Sequence, residues 1–311
     1  MRRLISFGIL SIPLLLSAAA PDLPYWAYDG EYGGVRNISM GATGAAEMGE
    51  DEAVFYNPAG IGSVPNNSWN FTALLLRSPS RDLPPLNKQL LGIGIVTPQG
   101  GLVFQPLSSY YLETGGVKQE IKINRYSLAL SLPQGDKFVI GMGLNYFSGR
   151  WAEVPSDSLI QDGNGMGLDW GVIYRITENL NYGLFFKNFP ASIGWETGTE
   201  KLPVFVTNAV NVRVGEFISF NFDLEERNYR KDTPEGKELK IRHLGIEHNI
   251  LDTLCLRAGL YGTDPGEKKK ATVTYGIGYR KDKVELSLAS KAFYREGQKV
   301  SEYLAGLSLP F

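Results

Sequence analysis

The chain has little of the chemistry that catalytic and metal sites need. It holds one cysteine, Cys255, and two histidines, His243 and His248, among 311 residues. A single cysteine excludes an intramolecular disulfide and a thiolate metal cluster. The histidines are an odd number of positions apart in a predicted strand, so they point to opposite faces and cannot share a metal. No G-x-S-x-G motif is present. We therefore predict no enzyme, no metal site and no cofactor.

Strong charge and long apolar runs are also missing. The formal net charge is -2, which gives no reason to expect a nucleic-acid partner. After residue 20 no apolar run approaches the roughly 20 residues of a membrane-spanning helix. Glycine and tyrosine are abundant, with 36 and 16 residues, and the mean hydropathy is -0.14. A membrane β-barrel has such a composition, because every second strand residue faces its interior.

Residues 1–20 predict a secretory signal peptide. Two arginines precede an apolar run from Leu4 to Leu16, and small residues follow at positions 17–20. Pro21 would hinder cleavage directly before it, which favours a cut after Ala19. The mature chain is therefore expected outside the cytoplasm.

From Ser68 onward the chain divides into about fourteen segments of strand length, close to the 9–11 residues that a membrane strand needs. Apolar residues share one parity in each segment, and glycine or polar residues share the other. A soluble sandwich also alternates, but so many successive strands without a helical break favour a sheet that closes on itself. The segments lie near residues 68–77, 88–97, 101–108, 118–132, 137–150, 165–177, 180–189, 202–214, 216–228, 238–250, 253–262, 270–280, 283–294 and 300–311.

The connections between segments form a second pattern. Long polar gaps follow the odd segments, as at residues 151–164 and 190–201, and short turns follow the even ones, as at residues 133–136 and 178–179. Long outer loops and short periplasmic turns are typical of outer-membrane barrels. We predict an all-β fold in which residues 67–311 form a single-chain transmembrane antiparallel barrel.

Residues 21–66 lack this alternation and are rich in small residues. Asn57 followed by Pro58 is a helix-start signature, although a surface turn would have the same sequence. The run MGATGAA at 40–46, DE at 51–52 and AVFYNPAG at 53–60 resembles the N-terminal hatch of the FadL/PorV-like outer-membrane barrels. The resemblance implies a small helical hatch inside the lumen, formed by residues 21–66. Its characteristic positions would be Met40, Gly41, Asn57, Pro58, Ala59 and Gly60.

The resemblance also implies a function. That superfamily includes channels for hydrophobic compounds and components of the type IX secretion system. It implies a passive channel for small hydrophobic compounds in the outer membrane. The alternatives are a PorV- or PorQ-like secretion component that binds a protein partner, and a purely structural or adhesive barrel. The expected partners are outer-membrane lipid, the barrel-assembly machinery, and either hydrophobic small molecules or a secretion-system protein.

Charged residues gather on the parity that faces the lumen. They have two interpretations: an ion-pair network that fills the interior and holds the hatch, which we favour for most of them, or a polar path or binding site. Inward glycines in repeated G-x-G units either leave room for a hatch or allow the barrel to curve. The charged residues are Asp169, Arg175, Lys187, Asp223, Glu225, Arg257, Arg280, Glu285 and Lys291.

Two further strand features are expected to carry function. Gly100, Gly101 and Pro106 predict a kink or an unpaired stretch in the third segment, where FadL-like channels have an inward kink that opens a lateral exit. At the chain end, one parity leads to a terminal aromatic residue, which is similar to the signal by which barrels are recognised for assembly. Its residues are Tyr303, Leu307, Leu309 and Phe311. Leu309 stands where an aromatic residue is usual, and Pro310 cannot donate to the ladder.

Overall fold

The computed structural model describes residues 23, 25–30, 32–78, 90–229, 238–295 and 297–311. The predicted signal peptide lies outside the described residues, and so does the very start of the predicted hatch segment. Among the described residues, no helix is both long and apolar enough to cross a membrane.

The described strands form one antiparallel sheet. In chain order they are β1 (Ser68–Ser78), β2 (Leu90–Thr97), β3 (Gly100–Thr114), β4 (Val117–Gln134), β5 (Phe138–Glu153), β6 (Leu159–Thr177), β7 (Leu180–Lys187), β8 (Ala191–Trp195), β9 (Gly198–Lys201), β10 (Val204–Val214), β11 (Ile218–Asn228), β12 (Glu238–Leu251), β13 (Leu254–Gly262), β14 (Ala271–Lys281), β15 (Val284–Arg295) and β16 (Gln298–Pro310).

The sheet closes into a barrel because its first and last strands pair with each other. Ser68 of β1 lies opposite Pro310 of β16, and Ser78 lies opposite Ser301. Pairing of β5 with β6 joins the two halves of the sheet on the far side. Closure removes the open edges that an extended sheet would expose to association with other chains.

Fourteen strands make the barrel wall, and β8 and β9 continue two of them outward. The chain leaves β7 at Lys187, resumes as β8 at Ala191, turns, and descends through β9 into β10. Asn188 has a φ of 60° and interrupts the ladder between β7 and β8. Pro203, which has no backbone N–H, lies in the break between β9 and β10. The predicted fourteen-stranded closed barrel is confirmed.

Two of the predicted loops were wrong. Residues 191–201 form the β8–β9 hairpin, and β8 also pairs with β6, although this stretch was expected to be a polar loop. Most of residues 151–164 likewise belong to strands, because β5 runs to Glu153 and β6 starts at Leu159. Polar residues at these positions lie on strands that extend beyond the apolar band of the barrel, where alternation of polarity is lost.

The alternation within the strands matches the two faces of the wall. On β5, Val139 and Phe147 face the lumen and are buried, whereas Leu144 and Tyr146 face outward and are 39% and 44% exposed. An apolar outer surface of this kind is suited to lipid contact. The lumen-facing parity is therefore the one that carries the site.

The described residues between 23 and 64 precede the barrel and are largely buried within it. They form three 3-10 turns, Tyr25–Tyr28, Asp51–Phe55 and Pro58–Ser63, and one short helix, α1 (Val35–Ser39). The helix packs against β13–β16, and the turn at Pro58 packs against β3–β6. We call residues 32–64 the plug segment, because they cross the lumen from one wall to the other.

Candidate functional site

A ring of glycines lets the plug segment approach the barrel wall. A Cβ atom built on any of these glycines would overlap atoms of the plug. On Gly171 it would meet Asn57, and on Gly259 it would meet the backbone of Gly41. The absent side chains therefore make room for the plug. The ring consists of Gly141, Gly171, Gly183, Gly245, Gly259, Gly276 and Gly306, one on each of β5, β6, β7, β12, β13, β14 and β16.

Asn57 joins two parts of the plug. Its side-chain Oδ1 accepts a hydrogen bond from the N–H of Ala59 at 3.0 Å, as an N-cap does, and its Nδ2 donates to the carbonyl of Ala45 at 2.7 Å. Pro58 occupies the first position of the turn, which is a 3-10 turn rather than an α-helix. Ser131 on β4 donates to the carbonyl of Ala59 at 3.1 Å and fixes this turn to the wall.

The stretch around Gly41 is fixed on the opposite wall. The N–H of Gly41 donates to Thr274 Oγ1 at 2.9 Å, and its carbonyl lies 2.8 Å from His243 Nδ1. Gly41 has a φ of 72°, a backbone conformation that glycine adopts without strain. Nearby, the carboxylate of Asp223 accepts from the N–H groups of Gly44 and Ala45, so it binds the plug backbone directly.

A buried ionic network runs from the plug into the wall. Arg36 of α1 donates to Glu47 at 2.7 Å and to Glu247 at 2.9 Å. Glu247 also accepts from Arg257 at 2.6 Å. Arg257 and Arg280 then share Glu285, each at 2.6 Å. The structure thus brings together three of the predicted lumen residues and adds three that the sequence analysis did not single out: Arg36, Glu47 and Glu247.

A second network lies nearer the outer end of the lumen. Arg227 contacts Asp29 at 2.6 Å and Glu225 at 2.5 Å. Lys187 Nζ donates to the backbone carbonyl of Asp29 at 3.1 Å, and Tyr229 donates to the Asp29 carboxylate at 2.7 Å. The N-terminal stretch is therefore tied to β7 and β11 as well as to β12 and β13.

The other predicted lumen residues do not join one site. Asp169 accepts from the N–H of Asn188 at 2.7 Å, and Lys291 pairs with Glu302 at 2.7 Å. Arg175 lies at the periplasmic end, close to Met48. Arg227, Glu247 and Glu302 share the lumen parity of their strands, and this signal could have found them. Arg36 and Glu47 lie in a stretch without periodicity, where no such signal exists.

Glu52 is a buried carboxyl group on the plug, outside the strands. Its Oε2 accepts from the N–H of Asn37 at 3.1 Å. Burial, reinforced by the neighbouring charge of Asp51, raises the pKa of Glu52 to about 8. The group is therefore protonated at neutral pH, and its ionisation would place an unpaired charge within the plug.

The outer half of the lumen contains an apolar compartment. Leu23, Ala27 and Tyr28 of the N-terminal stretch pack into it and are nearly inaccessible to solvent. Tyr28 donates from its hydroxyl to Glu200 of β9 at 2.7 Å. The wall residues of the compartment are Leu107, Tyr110, Ile121, Ile123, Phe147, Ile193, Trp195 and Leu202.

Arg125 lies at the border of this compartment. It is 4% exposed, is paired with Phe147 across the β4–β5 ladder, and donates to Gln105 Oε1 at 2.7 Å. Within the described part of the chain, no carboxylate comes within ion-pair distance of its guanidinium, and its Nε has no hydrogen-bond partner. Arg125 therefore differs from Arg36 and Arg227, whose charges are matched by carboxylates.

Among the described residues, the wall beside the compartment is interrupted. The β2–β3 ladder runs from Thr97–Gly100 to Ile93–Phe104 and ends there, whereas β3 continues to Thr114 with β4 as its neighbour. The pairing of β3 with β4 is irregular between Pro106 and Ser108. Gly100 and Gly101 pair regularly on both sides, so of the three residues expected to kink this strand only Pro106 lies at the irregularity. The irregular part of β3 instead begins after Phe104, where its ladder with β2 ends. It includes Pro106, which has no backbone N–H to donate.

The periplasmic end of the lumen holds a polar cavity of about 680 Å³ below the plug. Arg36, Glu50, Arg175 and Arg213 line it, among others. The terminal residues lie at the same end: Leu309 faces outward, and the ring of Phe311 is 5.9 Å from that of Trp69. Tyr303 and Leu307 continue the outer face of β16. Recognition of these residues by the assembly machinery stays a prediction.

The closed fourteen-stranded wall, apolar outside and filled by the plug, defines a transmembrane β-barrel protein. No family model and no curated protein matches the sequence. Solved structures do match its fold. The P. putida toluene transporter TodX aligns with a TM-score of 0.64 at 14% identity, over 91% of this chain and 99% of that chain.

Two further structures show the same likeness. The CymD monoaromatic hydrocarbon channel aligns with a TM-score of 0.66 at 12% identity, over 91% of this chain and 98% of that one. A Pseudomonas aeruginosa FadL homologue aligns with a TM-score of 0.58 at 10% identity, over 89% and 98%. The chain thus has the FadL-like barrel fold.

Proposed function

We propose that the protein is a passive outer-membrane channel for small hydrophobic compounds. The observation that carries this proposal is the apolar compartment beside the interrupted β2–β3 ladder. A lumen that only conducted water and ions would be lined by polar groups throughout. Here Leu107 and Tyr110 line the compartment and lie on the part of β3 that extends beyond its ladder with β2.

The plug determines the direction of transport in this proposal. Below the compartment, the glycine ring and the buried ionic networks hold the plug against the wall. A hydrophobic compound moving straight through would have to separate those ion pairs in a water-poor interior, which is costly. Leaving sideways past β3 into the membrane would keep the compound in apolar surroundings. The lateral route is therefore the one that the energetics favour.

The N-terminal stretch would have to shift for a compound to bind. Leu23, Ala27 and Tyr28 fill the compartment, and a hydrogen bond from Tyr28 to Glu200 links the stretch to β9. Arg125 at the border has donor capacity that Gln105 alone does not use. We expect compounds with an apolar body and one hydrogen-bond acceptor to be preferred over pure hydrocarbons.

Uptake of an apolar compound into cells that produce the protein tests the channel. The variant Leu107→Asn places a polar side chain at the wall of the compartment, and uptake should fall severalfold. Ile241→Asn is the matched control, because Ile241 is a buried lumen residue on β12, away from the compartment. Both variants must migrate as folded, heat-modifiable barrels in the membrane fraction. Equal uptake by wild type, Leu107→Asn and cells lacking the protein would refute a channel role.

A second candidate is a barrel that binds a secretion-system protein. The observation in its favour is that the compartment is already filled by the protein's own N-terminal stretch. Mild crosslinking followed by purification discriminates between the candidates. A stoichiometric protein partner, together with no uptake of apolar compounds, would support the secretion role.

A further inference from the structure

The outward face of the barrel carries basic residues directly above its apolar band on β12 to β16. Along β12, the outward residues are Ile250, His248, Ile246 and Leu244, and the next outward position toward the outer end is Arg242. Along β16, Tyr303 is followed by Ser301 and then Lys299. The change from apolar to cationic marks the level at which lipid tails give way to headgroups.

The loop between β13 and β14 brings two more cations to this level. Lys268 and Lys269 are exposed on it, and Lys268 Nζ lies 5.7 Å from the centre of the Tyr294 ring on β15. Tyr294 is itself the ladder neighbour of Lys299. Arg242 donates to the carbonyl of Thr263 at 2.9 Å, which holds it beside the start of the loop.

We call Arg242, Lys268, Lys269 and Lys299 the basic patch. Two neighbouring carboxylates are already occupied: Glu226 pairs with Lys240 at 3.1 Å, and Glu267 pairs with Lys270 at 2.7 Å. Within the part of the chain that the structure describes, no carboxylate lies within ion-pair distance of the four patch residues. On the other side of the barrel, by contrast, Lys122 pairs with Glu120, and Arg150 pairs with Asp157.

We propose that the basic patch binds the phosphate groups of lipid headgroups in the outer leaflet. The guanidinium of Arg242 can take two phosphate oxygens at once, and the lysines supply further point charges along the same rim from β12 to β16. The apolar residues below, Leu244 under Arg242 and Tyr303 under Lys299, would contact the acyl chains of the lipids bound above them. A headgroup whose phosphate is not neutralised by its own cation fits these charges, whereas a zwitterionic headgroup does not.

The purified full-length barrel can be tested in neutral detergent. Phosphatidic acid and phosphatidylcholine with identical acyl chains are titrated separately, and bound lipid is counted by native mass spectrometry. Each basic residue near an anionic lipid is worth roughly a fivefold gain in affinity. The double variant Arg242→Gln/Lys299→Gln should therefore bind phosphatidic acid about twentyfold more weakly than wild type. Binding of phosphatidylcholine should stay unchanged.

Lys118→Gln/Lys122→Gln is the matched control, because it removes the same charge from outward positions on β4. It should keep the preference for phosphatidic acid. Wild type without that preference, or equal losses in the two double variants, would overturn the proposal. Inorganic phosphate distinguishes a headgroup site from a free-anion site. Displacement of phosphatidic acid by millimolar phosphate, at an ionic strength matched with chloride, would also overturn it.

Discussion

Arg36→Met should loosen the plug while leaving the barrel wall intact. The guanidinium is 4% exposed and donates hydrogen bonds to Glu47 and Glu247, with Glu50 at 3.8 Å. Methionine keeps an unbranched apolar stem but removes the guanidinium group and its charge. Glu247 would retain Arg257, whereas Glu47 would keep only the amides of Asn37 and Asn221.

Removing one partner of a buried ion pair costs about 3–5 kcal/mol, because the remaining charge is left uncompensated in a water-poor environment. At roughly 1.4 kcal/mol for each factor of ten, a cost of about 4 kcal/mol raises the unseated fraction of the plug by about a thousandfold. Arg36 lies on the plug and takes no part in a β ladder. The energy is therefore lost between plug and wall, and the sheet keeps its pairing.

Cleavage of the plug by a protease added from the periplasmic side measures this fraction, because cleavage follows the population of the open form. We expect the rate to rise by two to three orders of magnitude, together with larger conductance steps in planar bilayers. Arg213→Met is the control, since Arg213 lines the same cavity but contacts the plug only through the carbonyl of Met48. A rise of less than tenfold in a correctly inserted Arg36→Met barrel would refute the reasoning.

Three further changes test the plug. Gly259→Ala should displace the plug and raise conductance, because its Cβ would overlap Gly41. Gly194→Ala should have no effect, because the nearest neighbour of its Cβ would lie 3.7 Å away. Asn57→Ala combined with Pro58→Ala should raise protease cleavage more than either change alone, since loss of the cap costs about 1 kcal/mol. Glu52 has a pKa near 8 in the seated plug and about 4.3 when solvated. Binding of the plug to the wall should therefore weaken, and protease cleavage should rise, as the pH rises between these values. The cleavage rate of Glu52→Gln should not depend on pH in this range.

The barrel could be predicted because a closed sheet surrounded by lipid requires alternating apolar and polar residues on every strand. Alternation gave the wall residues, and the order of long and short connections gave the phase of the strands. The ends of the strands could not be predicted, because beyond the lipid both faces of a strand meet water or loops. The β8–β9 hairpin was mistaken for a loop for this reason, and its two buried apolar residues of the same parity, Ile193 and Trp195, were the sign against it.

The lumen contacts were harder to predict than the wall. Which charges meet depends on register: Glu247 and Arg257 are ladder partners on β12 and β13, which becomes visible only when the two strands are aligned. The plug has no periodicity at all, so Arg36 gave no hint of its partners. The glycines were visible in the sequence, but the same pattern would arise from curvature alone. The proximity of the plug is what distinguishes the two explanations.

The glycine ring makes the substitutions that the wall can accept depend on the residues of the plug. At each position of the ring the wall residue is a glycine, and plug atoms occupy the space that a side chain would need. A wall residue can gain volume only where the plug loses it, so a larger residue at Gly171 is expected to arise together with a smaller one at Asn57, whereas Gly259 faces the backbone of Gly41 and allows no such compensation. In a barrel of this fold without a plug, these wall positions would no longer need to be glycine. Bulky side chains could then occupy the middle of the lumen.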